Sequence, residues 1–215
     1  MRLRLRHLKD NVTGDAYIRN EENGVMYRRL VGGLAWPFDV AGGAMVLLAE
    51  SRNPDFHTQR HNVYVLDEFQ SDDITGLLRR MHRLQLDHGV RDWITPRASY
   101  YMEFMHAFND EQEAMRQQIL YAYSPPQWDR QECLRFYMRL LERRIGKEKT
   151  LHFGNAHKTR DQCVALAQSA DVHHKRLEEF PGPAAMLYAL AEVDLRPPTI
   201  TLRGEREAGD QVAGY

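Results

Sequence analysis

The sequence predicts an α/β domain in which a mixed sheet is flanked by helices. Residues 30–36 and 43–50 are short, nearly continuous apolar runs bounded by turn residues, and residues 62–69 form a third run of strand character. Their length and β-branched content suit strands buried on both faces better than helices. The connections 37–42 and 51–61 are too short for a helical crossover, so the three strands form an antiparallel meander. Helical periodicity then alternates with short strand-like runs, an order that favours right-handed crossovers to parallel strands.

Taken in order, Arg2, Arg4, Arg6 and Lys9 precede any acidic residue. In an extended conformation the alternation places the arginines on one face and Leu3 and Leu5 on the other. Such a strip suits phosphate contacts; the simpler reading is a solvated edge strand whose charges discourage edge pairing. Residues 15–19 and 25–29 flank Asn23-Gly24, a hairpin signal that leads into the meander. After it, Ser71-Asp72-Asp73 supplies an N-cap and acidic first-turn residues for a helix carrying Ile74, Leu77, Leu78, Met81 and Leu84 and ending near Gly89.

Residues 92–95 form a short strand stopped by Pro96. Ser99 caps a second helical region with Tyr101, Met105 and Phe108 on one face, and Asn109 with Gln112 reads as a capping box restarting it after a kink. Residues 119–123 make the fifth strand, closed by Ser124-Pro125-Pro126. A helix from about residue 129 uses Leu134, Tyr137, Met138, Leu141 and Ile145 and stops at Gly146. Residues 151–153 suit a small edge strand, Thr159 with Gln162 caps the next helix, and Pro183 opens the last one, 184–193. Residues 1–195 thus read as one domain with an amino-terminal hairpin extension, and 196–215 as a tail.

Composition narrows the function classes. With 215 residues, 43% of them hydrophobic, the chain can bury a core without disulfide staples. Cys133 and Cys163 lack CxxC spacing, which argues against a zinc ribbon and for a reducing compartment. No apolar run resembles a signal peptide or spans a bilayer, so a cytoplasmic protein without a membrane partner is expected. Lys plus Arg is 29 against 30 Asp plus Glu, so any affinity for nucleic acid must rest on local charge such as the amino-terminal strip.

Other motifs carry little. His57 and His61 have the spacing of a helical metal pair, but Asn53-Pro54 and polar surroundings favour a surface loop. His173 and His174 are adjacent and diverge on a helix. Residues 146–150, Gly-Lys-Glu-Lys-Thr, superficially resemble a phosphate loop, yet no glycine stands five residues before Gly146 and a helix precedes it, so no nucleotide triphosphate site is expected. Cys163 reads as core, and no Gly-x-Ser-x-Gly elbow occurs. The cluster Tyr100, Tyr101, Met102, Phe104, Met105 and Phe108 reads as core on one side, leaving surplus aromatics as an interface.

Three antiparallel strands, a helix, a strand, helical material, a strand and then helices is the order of the ribonuclease H-like fold. That fold implies fourth and fifth strands parallel to the first, on its other side. The runs Gly33-Leu34-Ala35-Trp36, Val63-Tyr64-Val65-Leu66-Asp67-Glu68 and Ala184-Ala185-Met186-Leu187-Tyr188-Ala189-Leu190, with a second strand from Gly43, resemble the carboxy-terminal nuclease domain of phage large terminase subunits. The similarity extends over most of residues 28–193. It implies a phage or prophage protein of DNA packaging, acting in the bacterial host cytoplasm on double-stranded DNA or a packaging protein.

The departures fall on the chemistry. The family's first-strand aspartate falls on Ala35, the acid after the fourth strand falls around Pro96 and Arg97, and the aspartate opening the last helix falls within Pro183-Ala184-Ala185. Glu68 fits a recurrent acidic position and stands almost alone. Two-metal hydrolysis needs several carboxylates converging on ions about 4 Å apart. An active Mg- or Mn-dependent nuclease would therefore recruit off-motif acids, with Asp39 the first candidate, then Glu68 and Asp92; as ordinary residues they read as a turn aspartate, a solvated strand end and a strand start. The leading expectation is a domain that has lost its catalytic acids and acts by binding. The alternatives are a nuclease with a relocated carboxylate site and an unrelated α/β interaction protein.

Overall fold

The computed structural model describes residues 3–37, 42–96, 99–124, 138–168 and 179–195. In chain order the strands and helices are β1 (Leu5–Lys9), β2 (Ala16–Asn20), β3 (Met26–Ala35), β4 (Gly43–Pro54), β5 (His61–Ser71), α1 (Ile74–His88), β6 (Asp92–Ile94), α2 (Ser99–Ala114), β7 (Ala122–Tyr123), β8 (Leu151–His152), α3 (His157–Gln168) and α4 (Pro181–Leu195). A π-helical turn, Arg143–Lys147, precedes β8. No helix among the described residues is long and apolar enough to cross a membrane.

The fold is α/β with a mixed, open sheet. The meander β3, β4, β5 is antiparallel, β6 pairs parallel with β3 on its other edge, and β7 pairs parallel with β6. Five strands therefore run β5-β4-β3-β6-β7, the arrangement expected from element order. The β1-β2 hairpin lies on the same edge of β3 as β6 but nearer its start, through Ile18 opposite Tyr27 and Arg19 opposite Met26. β8 adds a parallel strand to β5.

Both faces of the central strands are covered, which is why their sequences are continuous rather than alternating. Leu30, Leu34, Met45 and Leu47 pack with Leu77, Met81, Trp93, Met105 and Phe108 under α1 and α2. Val31, Ala35, Val46, Leu48 and Val65 pack with Cys163, Leu166 and the Ala184–Ala191 stretch of α3 and α4. Helix α4 is buried on every side from Pro181 to Val193, as its uniformly apolar sequence requires. It lies so close to the sheet that a Cβ on Gly33 would stand 1.8 Å from the Ala185 carbonyl oxygen.

A half-buried cation, Arg29, and a buried one, Arg144, hold the far end of α4, where the helix dipole is negative. Arg29 donates to the Val193 and Glu192 carbonyls at 2.9 and 3.3 Å and shares Glu50 with Arg28. Arg144 and Asp194, 3% and 6% exposed, form a two-pronged ion pair, and Arg144 also donates to the His61 carbonyl.

Several boundaries differ from expectation for local reasons. Asp73 itself caps α1, accepting from the Thr75 amide at 3.0 Å, and Gly89 ends the helix in the left-handed conformation at φ 67°. Helix α2 continues through Asn109 instead of restarting there, because Asn109 is not a cap. Its side chain instead exchanges two 2.9 Å bonds with the Leu120 backbone and takes residues 119–120 out of the last strand. Gly146 lies inside the π turn rather than stopping a helix, since burial of Arg144 against Asp194 carries the winding through it. The β4–β5 connection shrinks to residues 55–60, where the Asp55 carboxylate accepts from the His57 and Thr58 amides. His57 is thus in a turn and His61 in a strand. Helix α4 opens at Pro181, two residues before Pro183. The helix start near residue 129, Cys133, the His173-His174 pair and the tail lie outside the described residues.

Candidate functional site

The resemblance puts metal-binding acids near the carboxyl end of β3, where Ala35 packs on the face covered by α4. Ala35 lies opposite Ala44, which lies opposite Gln70. Ala35, Ala44, Ala184 and Ala185 are all buried. The polar member of the row, Gln70, meets Gln162 of α3 through both amides at 3.3 and 3.4 Å, and Gln162 accepts the Gly182 amide of α4 at 3.0 Å. The Thr159 hydroxyl, fully buried beside Gly182, has no partner among the described residues. Neutral amides and methyl groups therefore tie β5, α3 and α4 together where a divalent cation would need carboxylates.

Glu68 is spent elsewhere. It lies opposite Val46, itself opposite Gly33, and its two carboxylate oxygens accept from the Lys158 and Thr159 amides at 3.1 and 2.8 Å. Those are free amides of the first turn of α3, which needs acceptors there. The helix begins at His157 under this cap rather than at a Thr159 and Gln162 box, because the β5 carboxylate reaches it first.

Asp92 opens β6 opposite Val31. Burial pushes its carboxyl above the usual range, against the opposing pull of Arg29 and Arg91. Three inter-strand steps separate it from Glu68, roughly 14 Å at the usual spacing, so the two share no metal. Asp39 lies outside the described residues. Among the described residues no group of three or more His, Cys, Asp or Glu side chains is placed to hold a metal ion. The side chains at the end of β3 do not fit the Mg or Mn site that the resemblance implies. Cys163 is buried in the α3–α4 core, and burial pushes its thiol up to about 12, the setting of a packing residue.

The amino-terminal hairpin carries the other candidate. Leu3 and Leu5 pack against the α1–α2 side of the core, while Arg4 and Arg6 are exposed. Arg6 lies directly opposite Arg19 on β2, a like-charge pairing that costs stability unless an anion occupies it. Lys9 alternates to the other side of the strand, opposite Ala16, and leaves the strip; Arg2 lies outside the described residues. Arg19 was hidden in the sequence because it joins the strip only through hairpin register. Among the described residues, the ion pairs of the protein include none of Arg4, Arg6 and Arg19. Their neighbour Arg52 is held by Asp10 at 2.7 Å and by the Tyr17 ring. No protein-family model, curated protein or solved structure matches the chain.

Proposed function

We propose that this chain is a ribonuclease H-like protein of the terminase nuclease type, belonging to phage or prophage DNA packaging, and that it works by holding double-stranded DNA rather than by cutting it. The observation that carries the reading is the row Ala35, Ala44 and Gln70–Gln162, which among the described residues brings no carboxylate to the place where hydrolysis needs several to converge. The strand order β5-β4-β3-β6-β7, with three antiparallel and two parallel members, supports the scaffold. The unpaired arginines of the hairpin support the ligand, because phosphate contacts dominate affinity for a duplex and need no metal.

The test is cleavage of supercoiled plasmid in Mg²⁺ and Mn²⁺ by wild type, Glu68→Gln and Asp39→Asn, with duplex binding followed in parallel by fluorescence anisotropy across a salt series. The expected result is no cleavage by any of the three and binding whose affinity falls steeply with salt. Replacing Arg4, Arg6 and Arg19 with Gln should reduce the salt slope by about 0.9 per lost phosphate contact. Cleavage by wild type that both acid variants abolish would overturn the reading in favour of a relocated metal site. Binding indifferent to salt and to the three arginines would remove the hairpin from it.

A further inference from the structure

We propose that the groove between α1 and α2 seats a second copy of this chain, making a two-fold symmetric dimer. The groove has a volume of about 330 Å³, with Phe108 at its floor and Leu86 and Met115 at its mouth. Leu86 is 51% exposed and Met115 56%, a large apolar display for two neighbouring positions. Tyr100 and Phe104 extend the strip along α2, since positions 100, 104, 111 and 115 fall on one flank of a 3.6-residue helix. The aromatic surplus expected from the sequence is thus continuous with the groove.

The charges select the occupant. The α1 rim carries Arg79, Arg83 and Asp87, a net positive edge, and the α2 rim carries Glu111, with Asp110 and Glu113 exposed beside it. Arg83 reaches only Asp87 on its own helix, and Arg79 and Glu111 form no ion pair among the described residues. A nucleic acid would meet the acidic rim at close range and be repelled. A two-fold axis through the mouth instead exchanges the rims, bringing α1 of one copy onto α2 of its partner, so arginines face acids twice over a shared apolar centre. A closed isologous contact of this kind requires a self-complementary surface, and rims of opposite sign around one apolar strip provide it. The groove lies on the face toward which Ile18 points, whereas Arg19 and its cross-strand neighbour Arg6 point away from it, so the contact leaves those arginines facing elsewhere.

Sedimentation equilibrium of the full chain from about 1 to 100 μM tests this independently of any DNA. The wild type should show dimer mass, and Leu86→Glu and Met115→Glu should give monomers with unchanged far-UV circular dichroism. Arg79→Glu and Glu111→Arg alter exposed positions that the fold does not need; each alone should raise the dissociation constant at least tenfold, and the double variant should restore it to near the wild-type value. A wild type monomeric throughout the range, or a dimer indifferent to Leu86→Glu and to both charge reversals, would overturn the proposal.

Discussion

Glu68 separates a structural carboxylate from a catalytic one by the sign of a stability change. Its oxygens accept from the Lys158 and Thr159 amides at 3.1 and 2.8 Å, at the positive end of α3. Glu68→Gln keeps one acceptor oxygen, loses one charge-assisted bond, and removes the charge from the helix terminus. A cap with its dipole contribution is worth about 1 kcal/mol, or roughly 2–4 °C of melting temperature in a chain of this size. Glu68→Ala loses both bonds and should cost about 2 kcal/mol.

A metal ligand behaves in the opposite sense. Carboxylates gathered to await a cation repel one another, so a neutral glutamine among them stabilises the metal-free protein. Mn²⁺ at a hundred times its dissociation constant would raise wild-type stability by about 2.7 kcal/mol and leave the variant unmoved. Urea and thermal unfolding of wild type, Glu68→Gln and Glu68→Ala, with and without Mn²⁺, read both quantities. The capping geometry predicts destabilisation in the order Ala, Gln, wild type and no Mn²⁺ shift in any of them. A stabilised Glu68→Gln, or an Mn²⁺ shift confined to wild type, would refute it.

Other parts of the structure make equally definite demands. Gly33→Ala puts a methyl group 1.8 Å from a carbonyl oxygen of a wholly buried helix, and overpacking of that kind should cost about 3 kcal/mol or more. Gly146→Ala, which meets nothing within 4 Å, should be neutral or slightly stabilising; equal urea midpoints for the two variants would contradict the α4 contact. Arg144→Met strands Asp194 in the core and should cost about 3–5 kcal/mol by urea titration, much of it recovered when Asp194→Leu is added; a full additive loss in the double variant would deny the pairing. Burial lowers the pKa of His61, His88 and His152 below the ordinary 6.5. The unfolded chain therefore takes up protons that the folded one refuses, so stability should hold above about pH 6.5 and fall as pH drops below it. A melting temperature flat from pH 7.5 to 5.5 would exclude that linkage.

How far the sequence reached follows from what its signals encode. Period-two and period-3.6 patterns report burial, so the meander, α1 with its Gly89 stop, and the two short parallel strands were legible, as were the core positions of Cys163, Met105 and Phe108 with Tyr101 packed at their edge. Pattern does not report who satisfies a polar group across the fold. Thr159 and Gln162 look like a cap until Glu68, some ninety residues earlier, takes the amides of α3, and Asn109 looks like a restart until Leu120 claims both its donor and its acceptor. Arg19 likewise joins Arg4 and Arg6 only through the register of β1 on β2. The absence of acids at residues 35 and 183–185 was readable; that Gln70, Gln162 and the Gly182 amide bond one another beside them was not. Ala35, Ala184 and Ala185 let α4 lie against the sheet, and Gln70, Gln162 and the Gly182 amide complete one another without a charge. A carboxylate introduced into that seam would lose its water and gain no cation from its neighbours, so the neutral residues there belong to the packing of α4 itself.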